Sequence, residues 1–132
     1  MKRTHTRFLA LFLLVAACAW LAPISTAADR QGGAQSKIAK NKPVYDGLWK
    51  RRVSPHNKRW ARRVSECESG RDPNALGAGG TYRGAFQFSR STWVNSPRSP
   101  GGDPVAYSYR TQAFVAVRLK TRDGNGHWPS CA

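Results

Sequence analysis

Three cysteines, Cys18, Cys67 and Cys131, cannot all pair within one chain. The first sits in a segment that reads as an export signal. Met1 to Arg7 carries Lys2, Arg3 and Arg7 and no acid, an apolar run follows from Phe8 to Ala22, and Pro23 leads into the small residues Ser25, Thr26, Ala27 and Ala28. A basic start, a short apolar run and a small-x-small site describe a secretory signal peptide over residues 1–27, cut after Ala27. The run falls short of the ~20 residues that a spanning helix needs. A second reading is a lipobox, Val15-Ala16-Ala17-Cys18, with Cys18 acylated and the chain a lipoprotein; Ala19-Trp20-Leu21 opposes it by prolonging the apolar run. Either cut leaves Cys67 and Cys131, which outside the cytoplasm read as one disulfide. Closing a loop of roughly 65 residues contributes about 4 kcal/mol in the chain-entropy model, a large share for so small a core.

A chain of 132 residues holds one domain, or one domain and a tail, which excludes a multidomain enzyme and a polytopic membrane protein. Its 22 Lys and Arg against 7 Asp and Glu give a formal charge of +15. Eleven of those basic residues lie between Ala28 and Arg63, opposed by Asp29 and Asp46, with Gly32, Gly33, Pro43, Gly47 and Pro55 interspersed. Residues 28–56 therefore read as a flexible, self-repelling tether. It serves either as a solvated linker or as an attachment to anionic wall polymers. Export and the absence of a recognised motif argue against nucleic acid as a partner. Trp49 beside Lys50-Arg51-Arg52 is a possible surface contact.

Residues 57–132 have a different character. Trp60 to Ser69 has helical spacing, with Ser54-Pro55 or Asn57 as start and Gly70 as stop. Gly77-Ala78-Gly79-Gly80 before Thr81-Tyr82-Arg83-Gly84 predicts a turn or short hairpin. Ser89 caps a short helix through Trp93, and Asp103-Pro104 or Ser108 opens a helix carried by Ala113 to Leu119. That last helix is apolar on most sides and is expected to be the central one.

Within the first helix, two glutamates differ. At about 100° per residue from Trp60, Val64, Ala61 and Cys67 define an apolar arc; Glu68 falls near 80°, inside it, and Glu66 near 240°, opposite. A carboxylate on the apolar side loses water, its pKa rises, and its proton stays available for general acid work. The last turn of a helix pushes the same way. The alternative is a Glu68 paired with a nearby arginine such as Arg71.

Cys67-Glu68-Ser69-Gly70, Asp72-Pro73-Asn74-Ala75, Tyr82-Arg83-Gly84-Ala85-Phe86-Gln87-Phe88-Ser89 and Ser91-Thr92-Trp93 occur in that order. Gly101-Gly102-Asp103-Pro104, Gln112 and Trp128-Pro129-Ser130-Cys131 follow. From Trp60 to Cys131 this series resembles the resuscitation-promoting factor family, transglycosylase-like wall enzymes; it is similar, more distantly, to soluble lytic transglycosylases and goose-type lysozymes. The resemblance implies a small, mostly helical, lysozyme-like α+β domain with a short β-hairpin and a saccharide cleft. It implies cleavage of the β-1,4 bond between N-acetylmuramic acid and N-acetylglucosamine in peptidoglycan glycan strands, with Glu68 as catalytic acid. Gln87 and Tyr82 would bind sugar, Trp93 would stack on a sugar face or fill the core, and Gly84 would permit a backbone geometry that a side chain obstructs. Promotion of regrowth of dormant cells, secretion to the cell wall and cooperation with other wall hydrolases come with the same resemblance.

Arg71-Asp72-Pro73 departs from the family, which often has Gly-Gly and an aromatic soon after the glutamate. Thr111 precedes Gln112 where relatives commonly have an acid. Glycosidases normally use two carboxylates, and Asp72, Asp103 and Asp123 fall in predicted loops. A single acid suits the lytic route, in which the muramyl C6 hydroxyl attacks and a 1,6-anhydro product forms; hydrolysis with a second acid is the alternative. No cofactor or metal is expected, because His56 lies in the tether and Cys67 and Cys131 are used in a bridge. A non-catalytic wall-binding or signalling module is the competing function.

Overall fold

The computed structural model describes residues 41–132; the segment read as a signal peptide (residues 1–27), with Cys18, and residues 28–40 of the expected tether lie outside the described residues. The described part is a helical α+β unit with one small hairpin. Residues 41–52 form helix α1, α2 spans Pro55–Ser69, α3 Arg90–Asn95 and α4 Tyr109–Asp123. Strands β1, Leu76–Gly77, and β2, Tyr82–Arg83, pair antiparallel with Leu76 opposite Arg83 and Gly77 opposite Tyr82. A 3-10 turn at Pro104–Ala106 precedes α4.

Helices α2, α3 and α4 each begin where a serine side chain can take up a free N–H. Ser54 accepts from Asn57 N ahead of Pro55, Ser89 from Thr92 N, and Ser108 from Thr111 N. Both candidate starts before α4 are used: Asp103 caps the 3-10 turn and Ser108 the helix. Gly70 ends α2 at φ 63°, donating to Glu66 O, while Arg71 N reaches back to Ser65 O.

The tether expected over residues 28–56 does not hold from residue 41 onward. Tyr45, Leu48 and Trp49 share one face of α1 and pack on the core, with the Tyr45 ring 5.8 Å from Phe114 and its hydroxyl donating to Arg98 O. Val53, just past the helix end, continues that face and is buried. A period of three and four residues was present beneath the charge, and apolar burial outweighs the self-repulsion that suggested an extended chain.

The centre of the fold is α4, which buries eight residues from Thr111 to Leu119. Against it lie Trp60, Ala61, Val64 and Ser65 of α2, and the aromatic set Phe86, Phe88, Trp93 and Trp128. The apolar arc of α2 includes Ser65 instead of Cys67, which is exposed although bonded to Cys131. The hydroxyl of Ser65 meets that of Tyr109 at 3.0 Å, so its burial is satisfied.

Gln112 is a fully buried amide in this apolar helix. Its Oε1 accepts from Ala85 N at 2.7 Å, and its Nε2 lies 2.9 Å from the carbonyls of Pro73, Pro104 and Tyr107. One side chain thus ties three loops to α4. Gly84, at φ 78°, packs against that amide; a Cβ there would collide with Gln112 Oε1, so the glycine serves the close approach expected of it. Among the described residues no helix is long and apolar enough to cross a membrane.

Replacing Gln112 with the similarly sized Leu leaves the Ala85 N–H and the carbonyls of Pro73 and Tyr107 without this partner, while Pro104 O keeps its bond from Tyr107 N. Urea unfolding of Gln112→Leu is expected to show a loss of about 3 kcal/mol; a loss under about 1 kcal/mol would contradict the hub role.

Candidate active site

Glu68 occupies the last turn of α2, one residue after the bridged Cys67. Two features fix that helix end. The disulfide holds it to the C-terminal segment, with the Cα atoms 5.7 Å apart. Ser69 Oγ donates to Ala85 O at 3.0 Å and so ties it to the loop after β2.

That loop is a tight turn. Arg83 and Phe88 exchange backbone hydrogen bonds of 2.9 and 3.0 Å around Gly84 to Gln87. Gln87 takes a positive φ of 49° there, and its Nε2 donates to Gly84 O at 2.9 Å. Its Oε1 sits against Gly77, where a Cβ would collide. The hairpin glycine and the turn therefore set the Gln87 amide together. Arg83 Nε and Arg90 donate to Asp103 at 2.8 and 2.7 Å, anchoring β2 and α3 to one carboxylate.

A groove of about 280 Å³ runs between α2 and this turn, lined by Glu68, Tyr82, Gln87, His127, Trp128 and Pro129. It adjoins a second depression of about 220 Å³, which shares Tyr82, Gln87, His127 and Trp128 and extends to Ser89 and Thr92. Tyr82 is 47% exposed at the rim. Trp128 is buried and donates through Nε1 to Phe86 O at 2.9 Å, so its ring edge forms wall rather than a free stacking surface. The structure thus brings Glu68, Gln87 and Tyr82 to one cleft, with Gly84 behind it.

Trp93, expected as a sugar-stacking residue, is not in the cleft. It is fully buried, its ring packs on Phe88 and Tyr107, and its Nε1 donates to Gly101 O at 3.0 Å. A large apolar ring in a domain this small contributes more as core than as surface, so Trp93 is a structural residue.

Two cleft residues had no sequence signal of their own. His127 lies beyond the end of α4, and only the folded chain shows that its Nε2 meets Asp123 Oδ2 at 2.9 Å. Trp128 belonged to a recognisable block, but not visibly to the cleft wall. Asp123 itself is held well below the usual carboxylate range by hydrogen bonds from Arg122 and His127.

The electrostatics single out Glu68. Arg71, the arginine considered as its partner, pairs with Glu66 instead. Asp46 engages Lys42 and Arg110, Asp103 engages Arg83 and Arg90, Asp123 engages Arg122 and His127, and Asp72 accepts from Asn74 N. Among the described residues, Glu68 alone of the carboxylates has neither a cation nor a hydrogen-bond donor as partner. Burial without compensation pushes its pKa up. Among the described residues no three His, Cys, Asp or Glu side chains cluster as a metal site.

A transglycosylase-like domain model matches residues 54–131, from the cap of α2 to the second bridged cysteine. Resuscitation-promoting factor Rpf1 of Corynebacterium glutamicum is 39% identical over 75 residues, covering 53% of this chain and 36% of that protein. Resuscitation-promoting factors RpfD and RpfC of Mycobacterium tuberculosis are 35% and 37% identical over 69 and 68 residues. Those matches cover 52% of this chain, and 43% of RpfD and 46% of RpfC. The chain therefore spans less than half the length of these relatives. No solved structure matches. With a half-buried, unpartnered Glu68 in a cleft and a domain match from the start of α2 to Cys131, the chain belongs to the resuscitation-promoting factor family of transglycosylase-like proteins.

Proposed function

We propose that this protein is a secreted peptidoglycan-cleaving enzyme that acts on the MurNAc-β-1,4-GlcNAc bond and so remodels the wall around cells resuming growth. The observation that carries this reading is the isolation of Glu68: the one described carboxylate with no partner is also the one in the cleft. A binding surface for neutral sugars gains nothing from a desolvated acid, whereas a general acid needs a proton retained toward neutral pH.

In this reading Glu68 protonates the glycosidic oxygen as the C1–O bond breaks. Gln87 and Tyr82 bind acetamido and hydroxyl groups along the groove, and His127 adds a polar contact with its Nε2 occupied by Asp123. Among the described residues no second carboxylate lines the groove beside Glu68, which favours the lytic route. The muramyl C6 hydroxyl attacks C1, its proton passes to the Glu68 carboxylate, and a 1,6-anhydro end forms. The same residue thus acts first as acid and then as base. Cell-wall association follows from the substrate.

Dye release from labelled peptidoglycan is the direct test. Glu68→Gln, which keeps shape but cannot donate the proton, is expected to lower release at least 100-fold while sedimenting with wall as the wild type does. Equal release by both proteins would replace the enzyme with a non-catalytic wall-binding module. The pH profile has a defined sign: activity requires the protonated acid and falls as pH rises through its folded pKa. Because burial raises that pKa, the alkaline descent of kcat/KM is expected above the ordinary value of 4.5; a descent at or below it would contradict the desolvated acid. Mass spectrometry of the products is expected to show 1,6-anhydro ends, and reducing muramic acid ends would assign hydrolysis instead.

A further inference from the structure

Among the described residues, two groups of basic side chains stand apart. Arg71, Arg83, Arg90, Arg110 and Arg122 each meet a carboxylate. Lys50, Arg51, Arg52, Lys58, Arg59, Arg62 and Arg63 have no such partner among the described residues, and no acid stands between Gly47 and Ser65. Folding concentrates these charges, since α1 and α2 are joined by only Val53 and Ser54. The first turn of α2 has no acidic residue, so its positive dipole end adds to Lys58 and Arg59.

Between these helices and the start of α4 lies a groove of about 540 Å³, lined by Asp46, Gly47, Trp49, Lys50, Lys58 and Arg110. Lys58 Nζ donates to Lys50 O at 3.2 Å and sits 5.9 Å from the centre of the Trp49 ring. Lys58 is therefore held against the end of α1, and Lys50 and Lys58 line the same groove. Neither Lys50 nor Lys58 belongs to the cleft of Glu68.

We propose that this α1–α2 groove binds a linear phosphodiester polymer of the cell envelope, holding the chain on the wall independently of its cleft. The free charges of the groove are lysine ammonium groups, point charges of the kind that bind phosphate, while its one guanidinium, Arg110, is already 3.7 Å from Asp46. The groove favours a sugar- or glycerol-phosphate chain over nucleic acid, because Trp49 is the sole aromatic residue lining it and Lys58 stands over that ring. Successive base stacking has no platform there.

The test is a salt titration of full-chain binding to poly(glycerol phosphate), which involves no turnover and so succeeds or fails apart from the Glu68 reading. Lys50→Gln with Lys58→Gln is compared with Arg98→Gln plus Arg118→Gln, which removes the same charge from exposed positions outside the groove. The groove pair is expected to weaken binding about tenfold at about 0.1 M salt and to flatten the log–log salt dependence by about 1.4, near 0.7 per lost contact. The control pair is expected to stay within about twofold. Equal loss from both pairs would reduce the effect to diffuse charge and overturn the site. Single-stranded DNA bound as tightly and with the same dependence on Lys50 and Lys58 would overturn the choice of polymer, as would polyglutamate doing so.

Discussion

The Gln112 amide is the interaction on which the arrangement of the cleft depends. It is a polar group placed where the rest of α4 is apolar, and it is tolerable only because every loop it touches supplies a backbone partner. The dependence runs both ways. The segments around Pro73, Ala85 and Pro104–Tyr107 have little regular structure of their own, and the amide gives them a common anchor. Ala85 in turn receives Ser69 Oγ, so the end of α2 that carries Glu68 is registered to α4 through two successive hydrogen bonds. A hydrophobic residue at 112 would pack but would not specify which carbonyl goes where.

Isolation of a carboxylate is an unusual outcome in a chain with 22 basic and 7 acidic residues. The protein achieves it by occupying the competitors. Glu66 captures Arg71, and Asp103 captures both Arg83 and Arg90, removing the basic side chains that flank the cleft in sequence. The helix geometry does the rest, since a two-residue step turns Glu66 and Glu68 to opposite sides. A desolvated acid thus emerges from ordinary pairing elsewhere, with no special group beside it.

Much of this was legible in the residues. The caps Ser54, Ser89 and Ser108, the stop at Gly70, the hairpin and the buried character of α4 all follow from local chemistry that the tertiary structure does not override. The half-buried position of Glu68 followed from the helical wheel alone. Four things did not follow. Residues 41–52 carry their apolar face thinly among charges, so composition masked the period. Trp93 has the same chemistry on a cleft wall or in a core, and only packing decides between them. His127 and Trp128 enter the cleft through the return of the chain after α4, a long-range contact with no local signature. Gln112 belonged to a recognisable pattern, but its part as a buried junction needed the three loops to be seen together.

The Cys67–Cys131 bond joins the residue immediately before Glu68 to the segment that holds His127 and Trp128. Opposite banks of the groove are thereby one covalent ring. With the bond reduced, the C-terminal bank keeps the Trp128 bond to Phe86 O, the packing of Trp128 on Trp60, and the His127 contact with Asp123. Closure of the bond therefore completes the frame of the groove, and in the secreted protein proposed above that step falls outside the cytoplasm.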